Sequence, residues 1–122
     1  MAAIHTAARA GNVEKLRRLL AEGVSPDLLY HEHAFYITNT PLHCLCERNN
    51  ERNNSGDRAA CFELLRDAGA NLEAIDFLGN RPLHCAVWRG NAGLLSLLVQ
   101  SGVNVDATNS ENSTALHVAA RR

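Results

Sequence analysis

Apolar residues recur along the chain in two alternating patterns. One is a short run of small or apolar side chains, at Thr6-Ala7-Ala8, Cys44-Leu45-Cys46, Cys85-Ala86-Val87 and Val118-Ala119-Ala120. Such runs predict short helices packed closely against neighbours on both sides. The other follows the helical period: Val13, Leu16, Leu19 and Leu20 early in the chain, and Leu95, Leu98 and Val99 later. Each is the apolar stripe of an amphipathic helix. A polar turn separates the two patterns, Gly11-Asn12 or Gly90-Asn91, where glycine tolerates positive φ. Gly23, Gly69 and Gly102 end the second helix as C′ residues. Beyond each glycine runs a polar stretch with hints of alternation, such as Asn71-Leu72-Glu73-Ala74-Ile75-Asp76, which closes in the turn residues Gly79-Asn80. The predicted unit is helix, turn, helix, hairpin loop.

That unit is repeated. Thr40-Pro41-Leu42-His43, Arg81-Pro82-Leu83-His84 and Thr114-Ala115-Leu116-His117 are near copies, with a worn fourth, Ile4-His5, close to the start. Leu83 to Leu116 is 33 residues, Leu42 to Leu83 is 41 and Ile4 to Leu42 is 38. From the Leu or Ile landmark to the closing glycine the count is 19 in the first and third copies but 27 in the second. Eight extra residues therefore lie inside repeat two. From glycine to the next landmark it is 14 after Gly69 and Gly102 but 19 after Gly23, so five more lie between repeats one and two. A recurring supersecondary unit implies a solenoid, in which each repeat buries one face on its neighbour.

In repeat three, Gly69-Ala70-Asn71 leads through Asp76 and Gly79 into Arg81-Pro82-Leu83-His84-Cys85-Ala86-Val87, followed by Gly90-Asn91. With these residues and the 33-residue period, the chain resembles an ankyrin-repeat protein over nearly its whole length. Three positions depart from the pattern: Arg81 replaces a helix-capping Thr, Ala115 a Pro, and Asn49 the glycine of the helix-to-helix turn. Loss of a cap hydroxyl costs about 0.5–2 kcal/mol, so local fraying is expected in repeat three.

The resemblance implies an all-α repeat solenoid of ankyrin repeats, about three full and a partial fourth, forming one domain over 1–122. Its parts are an N-terminal repeat (1–28), an extended hairpin loop (29–39), repeat two (40–75) with a polar insertion at 51–58, repeat three (76–108) and a partial repeat four (109–122). Only the first helix of repeat four is present, so further repeats or a fragment boundary are expected beyond Arg122, and scaffolding for an appended effector would depend on that sequence. The resemblance also implies that His5, His43, His84 and His117 are structural, bonding across neighbouring loops. Function in this family is recognition at the hairpin tips and the concave face of the first helices. On matching positions this places Phe77, Leu78 and Asn80 at a tip and Trp88 and Arg89 at a helix end; Ser110, Glu111 and Ser113 follow in repeat four. Trp and Arg are favoured at binding hot spots, although Trp88 packed along its own repeat is the alternative.

The insertion between repeats one and two holds Tyr30, Phe35 and Tyr36, three of the chain's six aromatic residues. Either these rings contact a partner or the finger folds back and buries them on repeat one. The insertion in repeat two doubles a tetrapeptide, Glu47-Arg48-Asn49-Asn50 then Glu51-Arg52-Asn53-Asn54, and continues into Ser55-Gly56-Asp57-Arg58. It is read as a solvated loop, since Asn, Ser and Gly disfavour helix; extension of the first helix is the alternative.

With 12 basic and 13 acidic residues the chain has no nucleic-acid footprint. Lys15, Arg17 and Arg18, and the closing Arg121-Arg122, are read as solvated faces. Neither a signal peptide nor a membrane span is evident, so a monomer in the cytosol or nucleus is expected, bound to a protein partner, with no membrane insertion and no cofactor. The four cysteines read as reduced thiols. Zinc held by Cys44, Cys46 and Cys85 is disfavoured, because stacked helices keep axes about 8–10 Å apart and residues two apart on a helix diverge. There is no nucleophile elbow, phosphate loop or convergent carboxylate pair, so no enzyme is expected. The reading is an interaction module serving as adaptor or scaffold. The alternative is a metal-binding or enzymatic domain that uses the His31/His33 finger.

Overall fold

In the computed structural model the described residues are 3–32, 37–47 and 58–121, with only the backbone described at 30–32, 37, 38 and 47. Phe35, Tyr36, His33 and Asn49 lie outside them, as do the side chains of Tyr30 and His31. The elements in order are α1 (Ala3–Ala10), α2 (Val13–Ala21), β1 (Tyr30–Glu32), β2 (Ile37–Asn39), α3 (Pro41–Glu47), α4 (Arg58–Asp67), α5 (Pro82–Arg89), α6 (Ala92–Gln100) and α7 (Ala115–Arg121). The first helices of the repeats pack in one row, α1 on α3 on α5 on α7, and the second helices in another, α2 on α4 on α6. The strands pair antiparallel, Tyr30 opposite Asn39, His31 opposite Thr38 and Glu32 opposite Ile37, and form the hairpin between repeats one and two.

The core runs between the two rows. Ile4, Leu42 and Leu83 come from the motif positions, Leu16, Phe62, Leu65, Leu94 and Leu98 from the second helices. In α6 the inward pair is Leu94 and Leu98, four apart on one face, with Leu95 half-buried beside them. Val99 was expected in that stripe, but it lies one residue past Leu98, turned toward the flank of the helix, and is half exposed.

The Gly-Asn turns do two jobs. Gly90 takes the left-handed conformation that ends α5, at φ 69°, and the next residue caps the next helix. Asn12 Oδ1 accepts the Lys15 amide at 3.1 Å, and Asn91 Oδ1 accepts that of Leu94 at 3.2 Å. Arg81 makes no side-chain cap on α5, and the helix begins at Pro82. The Arg81 amide donates to His84 Nδ1 at 3.1 Å, as the Thr114 amide does to His117 Nδ1, and Pro82 needs no acceptor at the first turn.

The motif histidines lace the repeats together. His5 Nε2 donates to the Asn39 carbonyl at 2.9 Å, His43 Nε2 to that of Asn80 at 2.9 Å, and His84 Nε2 to that of Ser113 at 3.0 Å. Each acceptor directly precedes the next motif, so one bond sets the spacing between consecutive repeats. Burial of the His5 ring pushes its pKa below the ordinary 6.5, although its backbone hydrogen bonds to Asn39 and Leu28 oppose the shift. A lowered folded-state pKa means that the unfolded chain takes up the proton first on acidification. The contribution of His5 is therefore complete above pH 6.5 and is lost as the pH falls below it toward the folded value. Urea midpoints measured at about pH 7.5 and about pH 5 should show this loss, and His5→Gln should reduce the difference.

Repeat two is closed by Arg58. This residue, placed by the sequence pattern at the end of a solvated loop, is the half-buried first residue of α4. Its guanidinium donates to the Leu45 carbonyl of α3 and to the Arg9 carbonyl of α1, each at 2.9 Å. Both carbonyls lie at helix C-termini, where a cation is favourable.

Candidate partner-binding surface

The loop into α5 is built around Asp76. One oxygen of its carboxylate accepts the amides of Leu78 and Asn80, each at 2.9 Å, while its own amide donates to the Asn80 carbonyl at 3.0 Å. This closed turn leaves Phe77 and Leu78 standing outward, 49% and 51% exposed. Asn109 repeats the arrangement one unit later, its Oδ1 accepting from Glu111 N at 2.9 Å and Ser113 N at 3.1 Å.

Neighbouring tips are tied to each other. Ser110 N donates to the Leu78 carbonyl at 3.1 Å, and Asn109 Nδ2 to Asn80 Oδ1 at 2.9 Å. The contact is close enough that a Cβ on Gly79 would lie 2.8 Å from Ser110 N, and Gly79 also has φ +74°. Asn112 takes the same position in the last loop, with φ 58°.

Trp88 and Arg89 occupy the last turn of α5. They lie about 9 Å along its axis from Pro82, at 1.5 Å rise per residue. Trp88 is 54% exposed, so it does not bury itself along its own repeat. The sequence-derived candidates thus divide. Phe77, Leu78, Trp88 and Arg89 are exposed on one repeat. Asn80 has its carbonyl and side-chain oxygen engaged by the scaffold, and Ser113 is buried beneath His84. Tyr30 belongs to β1, and Phe35 and Tyr36 lie outside the described residues.

Ile75, exposed just before the same tip, was not anticipated. Its signal in the chain is that it falls out of step with Leu72 and Ala74, the half-buried partners in the alternation. Leu28 and Leu29 are likewise exposed at the approach to β1. Among the described residues, His43, Asp76 and Cys85 are the one group that brings three metal-competent side chains together.

The family model for ankyrin repeats (3 copies) matches residues 52–122. The chain belongs to the ankyrin-repeat family. Ankyrin repeat and SOCS box protein 11 of Homo sapiens is 30% identical over 117 residues, 96% of this chain and 32% of that protein. Protein fem-1 homolog C of Xenopus laevis is 40% identical over 52 residues, covering 43% of this chain and 8% of its own length. Ankyrin repeat protein OPG189 of Monkeypox virus is 33% identical over 79 residues, covering 65% and 13%. The chain therefore spans about a third, or less, of these relatives. Ankyrin repeats are in general noncatalytic protein-interaction modules. In this ankyrin array no described helix is long and apolar enough to cross a membrane.

Proposed function

We propose that this ankyrin array is a noncatalytic adaptor that binds a protein partner through the tip and first helix of repeat three, extended by the hairpin between repeats one and two. The observation that carries this is the exposure of Phe77, Leu78 and Trp88 on a repeat whose backbone is cross-tied to both neighbours. Large apolar groups held rigidly in water lose little conformational freedom on binding, which is the condition for a hot spot. Arg89 adds a forked donor beside Trp88. Tyr30, Phe35 and Tyr36 are the contact candidates of the hairpin, and Asn80 acts as the loop's internal fastener. The setting proposed is the cytosol or nucleus, with the array as a monomer.

The test is a triple variant, Tyr36→Ala, Phe77→Ala and Trp88→Ala. It should lose a partner captured by the wild-type protein, while circular dichroism and thermal midpoint stay close to wild type. Wild-type capture by the folded variant would refute the surface.

A further inference from the structure

We propose that His43, Asp76 and Cys85 form a site for a thiophilic divalent cation of the zinc class at the junction of repeats two and three. One potential ligand atom from each lies within 4.8 Å of the others. A tetrahedral zinc site, with Zn–S of about 2.3 Å and Zn–N of about 2.0 Å, needs about 3.5 Å between ligand atoms. The closing movement is therefore about an ångström, within reach of small side-chain rotations. The three residues are remote in sequence and meet only because α3, the Asp76 turn and α5 stack.

The chain contains its own control. At the next junction the equivalent residues are His84, Asn109 and Val118. The Asn109 amide closes its turn with the same two hydrogen bonds as the Asp76 carboxylate. Val118 fills the place of Cys85 with an alkyl group and is buried. The fold thus requires neither a negative charge at Asp76 nor a thiol at Cys85. Among the described residues, only the junction of repeats two and three carries both beside a motif histidine.

Thiolate, imidazole and carboxylate together select a zinc-like ion over magnesium or calcium. Binding releases the Cys85 thiol proton to solvent, since the thiolate is the ligand. Nε2 of His43, on the side of the Asp76–Asn80 turn, turns from the Asn80 carbonyl to the ion. That carbonyl keeps the Asp76 amide at 3.0 Å. Nδ1 then carries the proton and donates to Thr40 Oγ1, already 2.8 Å away, an outer contact that fixes the tautomer. His43 is buried, whereas Asp76 and Cys85 are partly exposed. Three protein ligands thus leave a fourth position open to water. The inference is independent of which partner the array binds.

The experiment is titration of the reduced protein with Co²⁺, followed by thiolate-to-cobalt charge-transfer absorption and then by displacement with Zn²⁺. A saturable one-to-one band that zinc abolishes is expected. The variants Asp76→Asn and Cys85→Val copy the next junction and should keep the fold, checked by circular dichroism and thermal midpoint. Asp76→Asn should weaken binding by more than the roughly 10–100-fold typical of losing an outer-shell partner. Cys85→Val should remove the band. No band in the wild type, or an undiminished band in Cys85→Val, would overturn the site; the latter would assign the signal to Cys44, Cys46 or Cys61.

Discussion

Phe62→Ala should destabilise the array by about 3–5 kcal/mol, the range for deleting a fully buried aromatic ring. Phe62 is 0% exposed and heads the largest buried side chains. It lies on α4, which packs against α2, α3 and α6, so the cavity would open on the middle of the stack. Small domains are stable by about 5–15 kcal/mol, and the loss removes a large part of that. In a solenoid each repeat is held only by its neighbours. The damage should therefore spread to both sides, and urea unfolding should shift to a lower midpoint with protection from hydrogen exchange falling in α2 and α6 together. Phe62→Leu, which leaves a smaller void, should lose far less. An unchanged midpoint in the alanine variant would show that α4 can collapse around the gap.

His84→Ala should cost about 1–3 kcal/mol and act on one side only. Truncation removes the His84 donor from the Ser113 carbonyl, which keeps the Asn109 amide at 3.0 Å, and leaves the Arg81 amide without its His84 acceptor; an unsatisfied buried backbone group costs about 1–3 kcal/mol. Ser113 immediately precedes the last motif, so α7 should exchange its amide hydrogens readily while α1 and α3 stay protected. His117→Ala is the comparison, because His117 is exposed and its hydrogen bonds among the described residues stay within its own motif, through Thr114. Exposed substitutions usually stay within about 0.5 kcal/mol. Equal effects from the two changes would contradict the lacing role of His84.

Much of the architecture is legible because it rests on local chemistry repeated in register. The Leu-His motif, the Gly-Asn turns and the closing glycines mark helix starts and ends wherever they occur, and their irregular spacing locates the additional residues. The eight-residue excess in repeat two equals the difference between the ten residues separating α3 from α4 and the two of each Gly-Asn turn. The cross-repeat role of the histidines came with the family resemblance, and its acceptors needed the fold. What stayed hidden depends on distant partners. Arg58 reads as another polar residue until α1 and α3 present their carbonyls to it. Asn80 and Phe77 both look like tip residues, and only the closed Asp76 turn separates the one whose polar groups face inward from the one that faces water. The His43, Asp76 and Cys85 group is invisible for the same reason: its members come from three elements.

The link from Arg58 to Arg9 and Leu45 has a further consequence for the ten residues that precede it. Lengthening a connection from two residues to ten costs about 1.4 kcal/mol in closure entropy, by (3/2)RT ln(10/2). Each hydrogen bond from a charged donor returns about 1.5–3 kcal/mol, so the two bonds of Arg58 exceed that cost. Doubling the connection again would add only about 0.6 kcal/mol. The far end of the connection between Glu47 and Arg58 is thus moored at the first residue of α4, and that mooring outweighs the closure cost of the added length.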